Sequence, residues 1–160
     1  MGWQTWATAF TVTTKRWIEP NRAADYRRFV CQKTLIEAHF PCFRCRLFNN
    51  LLTCKGEITP SQDCDKYSIV IQYAFRKVPR VTIAQPTIRP SSKIHTYRCG
   101  ALCLYDPRET PWLRSDNVHE KIIPWIAEWL VFYELFLICG KWLGPEAPHG
   151  PNGKLQQVRS

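Results

Sequence analysis

Four segments in the first half of the chain have the residue pattern of β-strands, and short connections join them. They are residues 42–48, 51–56, 67–75 and 78–84. In the first two segments apolar and polar side chains alternate, and the dipeptide Asn49-Asn50 between them is a predicted turn. Residues 67–75 are the clearest strand because they are rich in β-branched and aromatic side chains. Consecutive strands joined by short turns run in opposite directions, so the sequence predicts a four-stranded antiparallel meander.

Helical segments flank the predicted meander. The first runs from about residue 21 to 38, and the second, from about 118 to 139, ends at Gly140, which can adopt the left-handed conformation of a helix C-cap. The predicted fold class is α+β, a four-stranded antiparallel meander with an N-terminal helix and a long C-terminal helix packed outside the sheet. We expect one domain at residues 20–150, between an irregular leader at 1–19 and a disordered tail at 151–160.

The chain is basic, with a net charge of +9 from 22 Lys and Arg against 13 Asp and Glu. The basic residues are scattered in small groups rather than gathered in one tract. This distribution favours a solvated positive surface over a nucleic-acid-binding site. We therefore expect no nucleic-acid partner.

Neither export nor membrane insertion is expected. The first 14 residues lack the basic start and the continuous apolar stretch of a signal peptide. Residues 122–138 are apolar, but they include Glu128 and Glu134 and are fewer than the roughly 20 residues that a bilayer requires. We predict a cytoplasmic protein whose eight cysteines are reduced thiols, with the helical Cys31 and Cys139 in the core.

The cysteines of the predicted sheet raise the question of a zinc site. Cys42-x-x-Cys45 has a ligand-like spacing, and Cys54 and Cys64 would have to complete four thiolates. On a strand, residues three apart point to opposite faces, so Cys42 and Cys45 do not form a zinc knuckle. We predict buried thiols here, with no metal and no cofactor.

A long irregular segment separates the last predicted strand from the second helix. Residues 86–112 show no regular period and contain four prolines, and a loop of this length in a compact domain is often functional. Within it, Cys103 follows the permissive Gly100 and precedes the turn residues Asp106-Pro107, a position where a thiol can act as a nucleophile. On spacing alone, an inert loop cysteine remains the alternative.

Several segments resemble ubiquitin-conjugating enzymes. Residues 51–62, 67–73 and 79–83 are similar to the meander of that family. Gly100-Ala-Leu-Cys103 is similar to its active-site segment, which has a glycine three residues before the catalytic cysteine, and Trp112 matches a family tryptophan about nine residues after it. The resemblance implies a ubiquitin-conjugating-enzyme-like fold with Cys103 as the catalytic residue.

The second half of the chain is similar to a bacterial branch of that family. Residues 102–107, Trp125-x-x-x-Trp129 and residues 142–146 resemble the conjugating-enzyme-like proteins of CBASS antiphage operons, which are encoded beside a cGAS-like nucleotidyltransferase. The resemblance implies that Cys103 forms a thioester with the C-terminus of this nucleotidyltransferase and transfers it to an amine, which regulates antiphage cyclic-nucleotide signalling. Either a separate activating enzyme activates the carboxyl group, or the operon works without one; both alternatives stay open.

One position departs from the eukaryotic pattern. Eukaryotic members carry His-Pro-Asn before the cysteine, and their Asn corresponds by count to His95, which Thr96 and Tyr97 follow. His95 is therefore a second candidate catalytic residue, as a hydrogen-bond or proton donor, with a structural role in the loop as the alternative. Two other functions stay open: a non-catalytic binding module of the same fold that docks and regulates the nucleotidyltransferase, and a zinc-stabilised nucleic-acid binder.

Overall fold

The computed structural model describes residues 20–145 of the chain. The elements in chain order are helix α1 (Pro20–His39), strands β1 (Arg44–Phe48), β2 (Leu51–Ile58), β3 (Tyr67–Ala74) and β4 (Arg80–Gln85), a short 3-10 helix (Ser92–Ile94) and helix α2 (Ile122–Cys139). The predicted leader at 1–19 and the predicted tail at 151–160 lie outside the described residues.

The four strands form one antiparallel sheet in the order β1-β2-β3-β4. Every second residue of β3 is buried, namely Tyr67, Ile69, Ile71 and Tyr73. Because side chains of a strand alternate between the two faces of a sheet, these residues place the core on one face. The predicted α+β fold, a meander with a helix before it and a helix after it, is confirmed.

Helix α1 packs near β1 and β2 and is joined to the segment that precedes α2. The buried Gln32 side chain donates a hydrogen bond to Asn117 Oδ1 at 2.8 Å and accepts one from the Val118 N–H at 2.9 Å. Arg28 donates to the Asp116 carbonyl at 2.7 Å. These hydrogen bonds hold the chain that leads into α2 against α1.

Helix α2 completes the core with its inner face. The residues of that face are Ile122, Ile123, Ile126, Trp129 and Leu130. Among the described residues, α2 is the one helix long and apolar enough to cross a membrane, a criterion that the core helix of a soluble protein also meets. It ends at Gly140, which has φ of 70° and donates its N–H to the Phe136 carbonyl at 2.8 Å, so the predicted C-cap is confirmed.

Two cysteines are bonded to each other, contrary to expectation. Cys45 of β1 and Cys54 of β2 lie directly opposite in the sheet and form a disulfide. The prediction that all eight cysteines are reduced is therefore wrong for this pair, and the bond removes two of the four thiolates that the zinc interpretation needs. Among residues 20–145, no group of three or more His, Cys, Asp or Glu side chains is arranged to hold a metal ion.

The remaining cysteines also differ from expectation. Cys31, Cys42 and Cys139 are exposed, and Cys64 is half-buried. The prediction that Cys31 and Cys139 lie in the core is wrong, because each occupies a face of its helix that is turned to solvent. The cytoplasmic location stays a prediction.

Candidate functional site

The segment that carries Cys103 folds back on itself between β4 and α2. The Tyr97 N–H donates to the Ala101 carbonyl and the Gly100 N–H donates to the Tyr97 carbonyl, each at 2.8 Å. Gly100 has φ of 79°, in the region that favours glycine. Beyond this tight turn, the Cys103 N–H donates to the His95 carbonyl at 2.8 Å. The turn therefore places residues 95 and 103 side by side.

This small hairpin, residues 95–103, is attached to the main sheet. The Leu102 N–H donates to the Val81 carbonyl of β4 at 2.9 Å, and Thr82 of β4 forms an antiparallel bridge with Ala101. The backbone of Cys103 is thus fixed by neighbours on both sides. A reactive group on such a support keeps a defined position, as catalysis requires.

The Cys103 side chain borders a cavity of about 90 Å³ between the hairpin, α2 and the segment after α2. We refer to it as the thiol cavity. Its other main lining residues are His95, Tyr105, Asp106, Trp125, Glu128, Trp129, Phe132 and Trp142. Cys103 is only 9% exposed, so access to its sulfur is through this cavity. The thiol is enclosed, but the neighbouring helix does not seal it off.

The surroundings of the Cys103 thiol keep it largely protonated. Burial raises the pKa of this thiol, and the Asp106 carboxylate raises it further, whereas a hydrogen bond with the Tyr97 hydroxyl lowers it. The thiolate is the nucleophilic form of cysteine. The thiol must therefore lose its proton before it can attack, and Tyr97 is the neighbour that favours this loss.

Tyr97 and Tyr105 remain neutral beside the thiol. Burial raises the pKa of Tyr97 far above its ordinary value and raises the pKa of Tyr105 to about 12, and the charge of a Cys103 thiolate adds to both shifts. A neutral phenol is a hydrogen-bond donor, so the Tyr97 hydroxyl can donate to the sulfur. This role of Tyr97 was not predicted from the sequence. The available signal was the turn at Gly100, which brings the residues on its two sides together.

His95, the second candidate catalytic residue, lines the thiol cavity together with Cys103. Its side chain is buried, and its ring centroid is 5.0 Å from that of Trp142. Its backbone has φ of 52° and ψ of 52°, in the left-handed region that residues other than glycine adopt infrequently. The chemical role of the imidazole stays a prediction.

Aromatic rings form much of the remaining wall of the thiol cavity. The Trp129 and Phe132 rings lie 5.8 and 5.9 Å from the Trp142 ring, and Trp125 lies 4.8 Å from Tyr105. Trp125, Trp129 and Trp142 stood out in the sequence only as part of a resemblance, because spacing along a helix does not reveal which loop the helix faces.

Trp112, the other tryptophan of the resemblance, lies beside a different cavity. Its ring is 5.8 Å from that of Tyr73, at a cavity of about 260 Å³ that shares no lining residue with the thiol cavity. The cationic residues that line this second cavity are Arg28, Arg76, Lys77 and Arg114, with Asp25 as the single carboxylate. We refer to it as the basic cavity, and its charge suits an acidic surface.

A comparison with known protein families supports the resemblance drawn from the sequence. Residues 32–150 match the family model described as Type II CBASS E2 protein. The matched stretch includes the four strands, the hairpin that carries Cys103, and α2. A comparison with curated proteins gives no match.

Proposed function

The chain belongs to the type II CBASS E2 proteins, and we propose that it carries an acyl group on Cys103 as a thioester. The acyl group is the C-terminus of a cGAS-like nucleotidyltransferase encoded in the same operon. Transfer of this C-terminus from Cys103 to an amine regulates the synthesis of an antiphage cyclic-nucleotide signal.

The observation that carries this proposal is the position of the Cys103 thiol, on a fixed hairpin and at the wall of a cavity. A thiolate is both a good nucleophile and a good leaving group, so a thiol in such a position can accept and release an acyl group.

The reaction has two steps. In the first, the Cys103 thiol gives its proton to solvent, and the thiolate attacks the carbonyl carbon of an acyl adenylate or of an acyl thioester on an activating enzyme. The new S–C bond forms as the bond to the leaving group breaks, and AMP or the activating enzyme's thiolate departs. In the second, a primary amine attacks the same carbon, the C–N bond forms, the C–S bond breaks, and the proton of the amine passes to solvent. Cys103 returns as a thiolate.

The charge of the chain supports docking of an acidic partner surface. The net charge is +9, and four cationic side chains gather around the basic cavity. Complementary charge increases the rate at which two proteins meet and orients them. The basic cavity shares no lining residue with the thiol cavity, so a docked partner leaves the thiol cavity free for the acyl group.

Intact mass spectrometry tests the proposal. The protein is co-expressed with the neighbouring nucleotidyltransferase, and the expected product is an adduct that is lost on treatment with a thiol reductant. Cys103→Ala should give no adduct. Cys99→Ala is the matched control, because Cys99 lies in the same hairpin with an exposed side chain, and it should behave as wild type. An adduct that persists in Cys103→Ala, or that Cys99→Ala removes, would contradict the proposal.

A non-catalytic binding module of the same fold is the second candidate function. The low exposure of Cys103 and the raised pKa of its thiol favour this alternative. It predicts that Cys103→Ala still binds the nucleotidyltransferase and still changes the rate of nucleotide synthesis. Binding by gel filtration and a nucleotide-synthesis assay with this variant distinguish the two functions.

A further inference from the structure

Helix α2 carries exposed apolar side chains on a side that the core does not use. Val131, Leu135 and Ile138 are 44%, 37% and 82% exposed. Residues four and seven positions apart lie on one side of a helix, so these three side chains form one row, which we call the outer stripe. Five of the 18 residues of α2 are buried, and its charged residues are Glu128 and Glu134. The helix is therefore more apolar than its place in the core requires.

The outer stripe is separate from both cavities. None of its three residues lines the thiol cavity or the basic cavity. At 100° per residue, the stripe lies about a quarter turn around α2 from the side that faces the thiol cavity. A segment that covers the stripe therefore leaves the lining of the thiol cavity in place.

Other exposed apolar side chains have charged neighbours. Val78 and Leu113 are each 52% exposed, and Lys77 and Arg114 lie next to them in the chain and line the basic cavity. Such a surface suits a partner that carries negative charge. The outer stripe has a different requirement, because an uncharged apolar surface is removed from water most favourably by an uncharged apolar segment.

The beginning of the leader has this composition. Residues 1–14 contain no charged side chain, although the whole chain has a net charge of +9. Their large apolar side chains beyond Met1 are Trp3, Trp6, Phe10 and Val12. Residues 146–160, which also lie outside the described part of the chain, contain Glu146, Lys154 and Arg159 and only two large aliphatic residues, Leu155 and Val158. The leader is therefore the segment of this chain whose chemistry matches the outer stripe.

The length of the leader is sufficient for it to reach α2. The leader joins the domain at Pro20, where α1 begins. Nineteen residues extend up to about 60 Å, whereas a domain of this size is about 35 Å across. A segment attached to the same chain has an effective concentration on the order of millimolar. An apolar contact of modest strength is therefore enough to hold it.

We propose that residues 1–14 dock on the outer stripe of the same chain, with their aromatic side chains against Val131, Leu135 and Ile138. The docked segment and the stripe remove each other from water. The inference goes beyond the proposed thioester function and does not depend on it, because it concerns a surface that does not line the thiol cavity.

Photo-crosslinking in the full chain tests the proposal. Benzoylphenylalanine in place of Trp6 keeps an aromatic side chain and bonds to a neighbouring C–H group on irradiation. The expected product has the mass of one chain, and mass spectrometry of its peptides should place the crosslink within residues 131–138. A crosslink to the surface around Val78 and Leu113, a crosslink between two copies of the chain, or no crosslink would overturn the proposal.

A pair of exposed positions on α2 supplies the matched variants. Ile138→Lys places a charge in the outer stripe, whereas Leu137→Lys places it about a third of a turn away, at a side chain that is 56% exposed. Since both side chains are exposed, both variants should fold. We expect Ile138→Lys to decrease the crosslink yield about 10-fold or more, and Leu137→Lys to leave it within about twofold of that of the parent protein. Equal yields in the two variants would contradict docking on the stripe.

Discussion

Gln32 joins α1 to the segment that leads into α2, and Gln32→Leu should destabilise the fold measurably. The glutamine is 1% exposed, its Oε1 accepts the Val118 N–H at 2.9 Å, and its Nε2 donates to Asn117 Oδ1 at 2.8 Å. Leucine has a similar size and can make neither hydrogen bond. The substitution therefore removes the polar connection and leaves the packing volume nearly unchanged.

The magnitude follows from the groups that lose their partners. Val118 is fully buried, so its N–H without an acceptor costs about 1–3 kcal/mol. The lost hydrogen bond to Asn117 adds about 1 kcal/mol, and the burial of a more apolar side chain offsets a similar amount. The expected decrease in the free energy of unfolding is about 1–3 kcal/mol. For a chain of 160 residues this lowers the Tm by about 2–12 °C.

Urea unfolding followed by tryptophan fluorescence measures the change. Gln32→Glu keeps an oxygen for the Val118 N–H but buries its second carboxylate oxygen against two acceptors, Asn117 Oδ1 and the Asp116 carbonyl. It should therefore destabilise the fold at least as much as Gln32→Leu. Thr34→Ala is the matched control, because Thr34 is exposed on the same helix, and its effect should stay within about 0.5 kcal/mol. If Gln32→Leu also stays within about 0.5 kcal/mol of wild type, the reasoning about the buried Val118 N–H is refuted.

Two further predictions concern the thiol and the sheet. Because burial raises the pKa of the Cys103 thiol above the ordinary value of 9.0, its alkylation rate should still increase as the pH rises through 9. Tyr97→Phe removes a hydrogen bond that lowers this pKa. In that variant the alkylation rate at neutral pH should fall, and the pH profile should move to higher pH. A profile that levels off below pH 9 in the wild type would contradict this. Gly56→Ala places a Cβ 2.6 Å from the ring of the buried Phe43. This contact should lower the free energy of unfolding, measured by urea unfolding, by about 1–3 kcal/mol. An unchanged unfolding midpoint would mean that Phe43 can move aside.

The sheet could be predicted from the sequence because its signals are local. The alternation in Tyr67–Ala74 sets which face of β3 is buried, and the dipeptide Asn49-Asn50 sets the turn between β1 and β2. The start of α2 was predicted too early. The helix begins at Ile122 rather than near residue 118, because Pro124 has no N–H for an intrahelical hydrogen bond and fits only the first turn of a helix.

The cysteine pairing could have been derived from the same turn. A two-residue turn places residues at equal distances from it opposite each other, which puts Cys45 directly across from Cys54. The expectation of reduced thiols rested on the predicted compartment and did not use this register. The exposure of Cys31 and Cys139 could not be inferred in the same way, because neither helix separates its apolar and polar side chains cleanly onto opposite faces.

The thiol cavity was only partly predictable. Cys103 and His95 were selected from their place in the long loop and from a resemblance, and the structure brings both to one cavity. The neighbours Trp129 and Trp142 could not be assigned to the cavity, because it forms where α2 and the segment after it pack against the hairpin. Contacts between elements so far apart in the chain leave no periodic signal in the sequence.

The left-handed backbone at position 95 separates two requirements that one residue must meet. The loop needs a residue that tolerates φ of 52°, and the predicted role of the side chain in the reaction sets a second, separate requirement. Asparagine is among the residues that adopt this conformation most readily, and histidine is also enriched there. The same loop can therefore accept either residue without a change of path. An evolving lineage could exchange the side chain beside the cysteine in a single substitution, and His95→Asn is a conservative replacement for the backbone even where it alters the reaction.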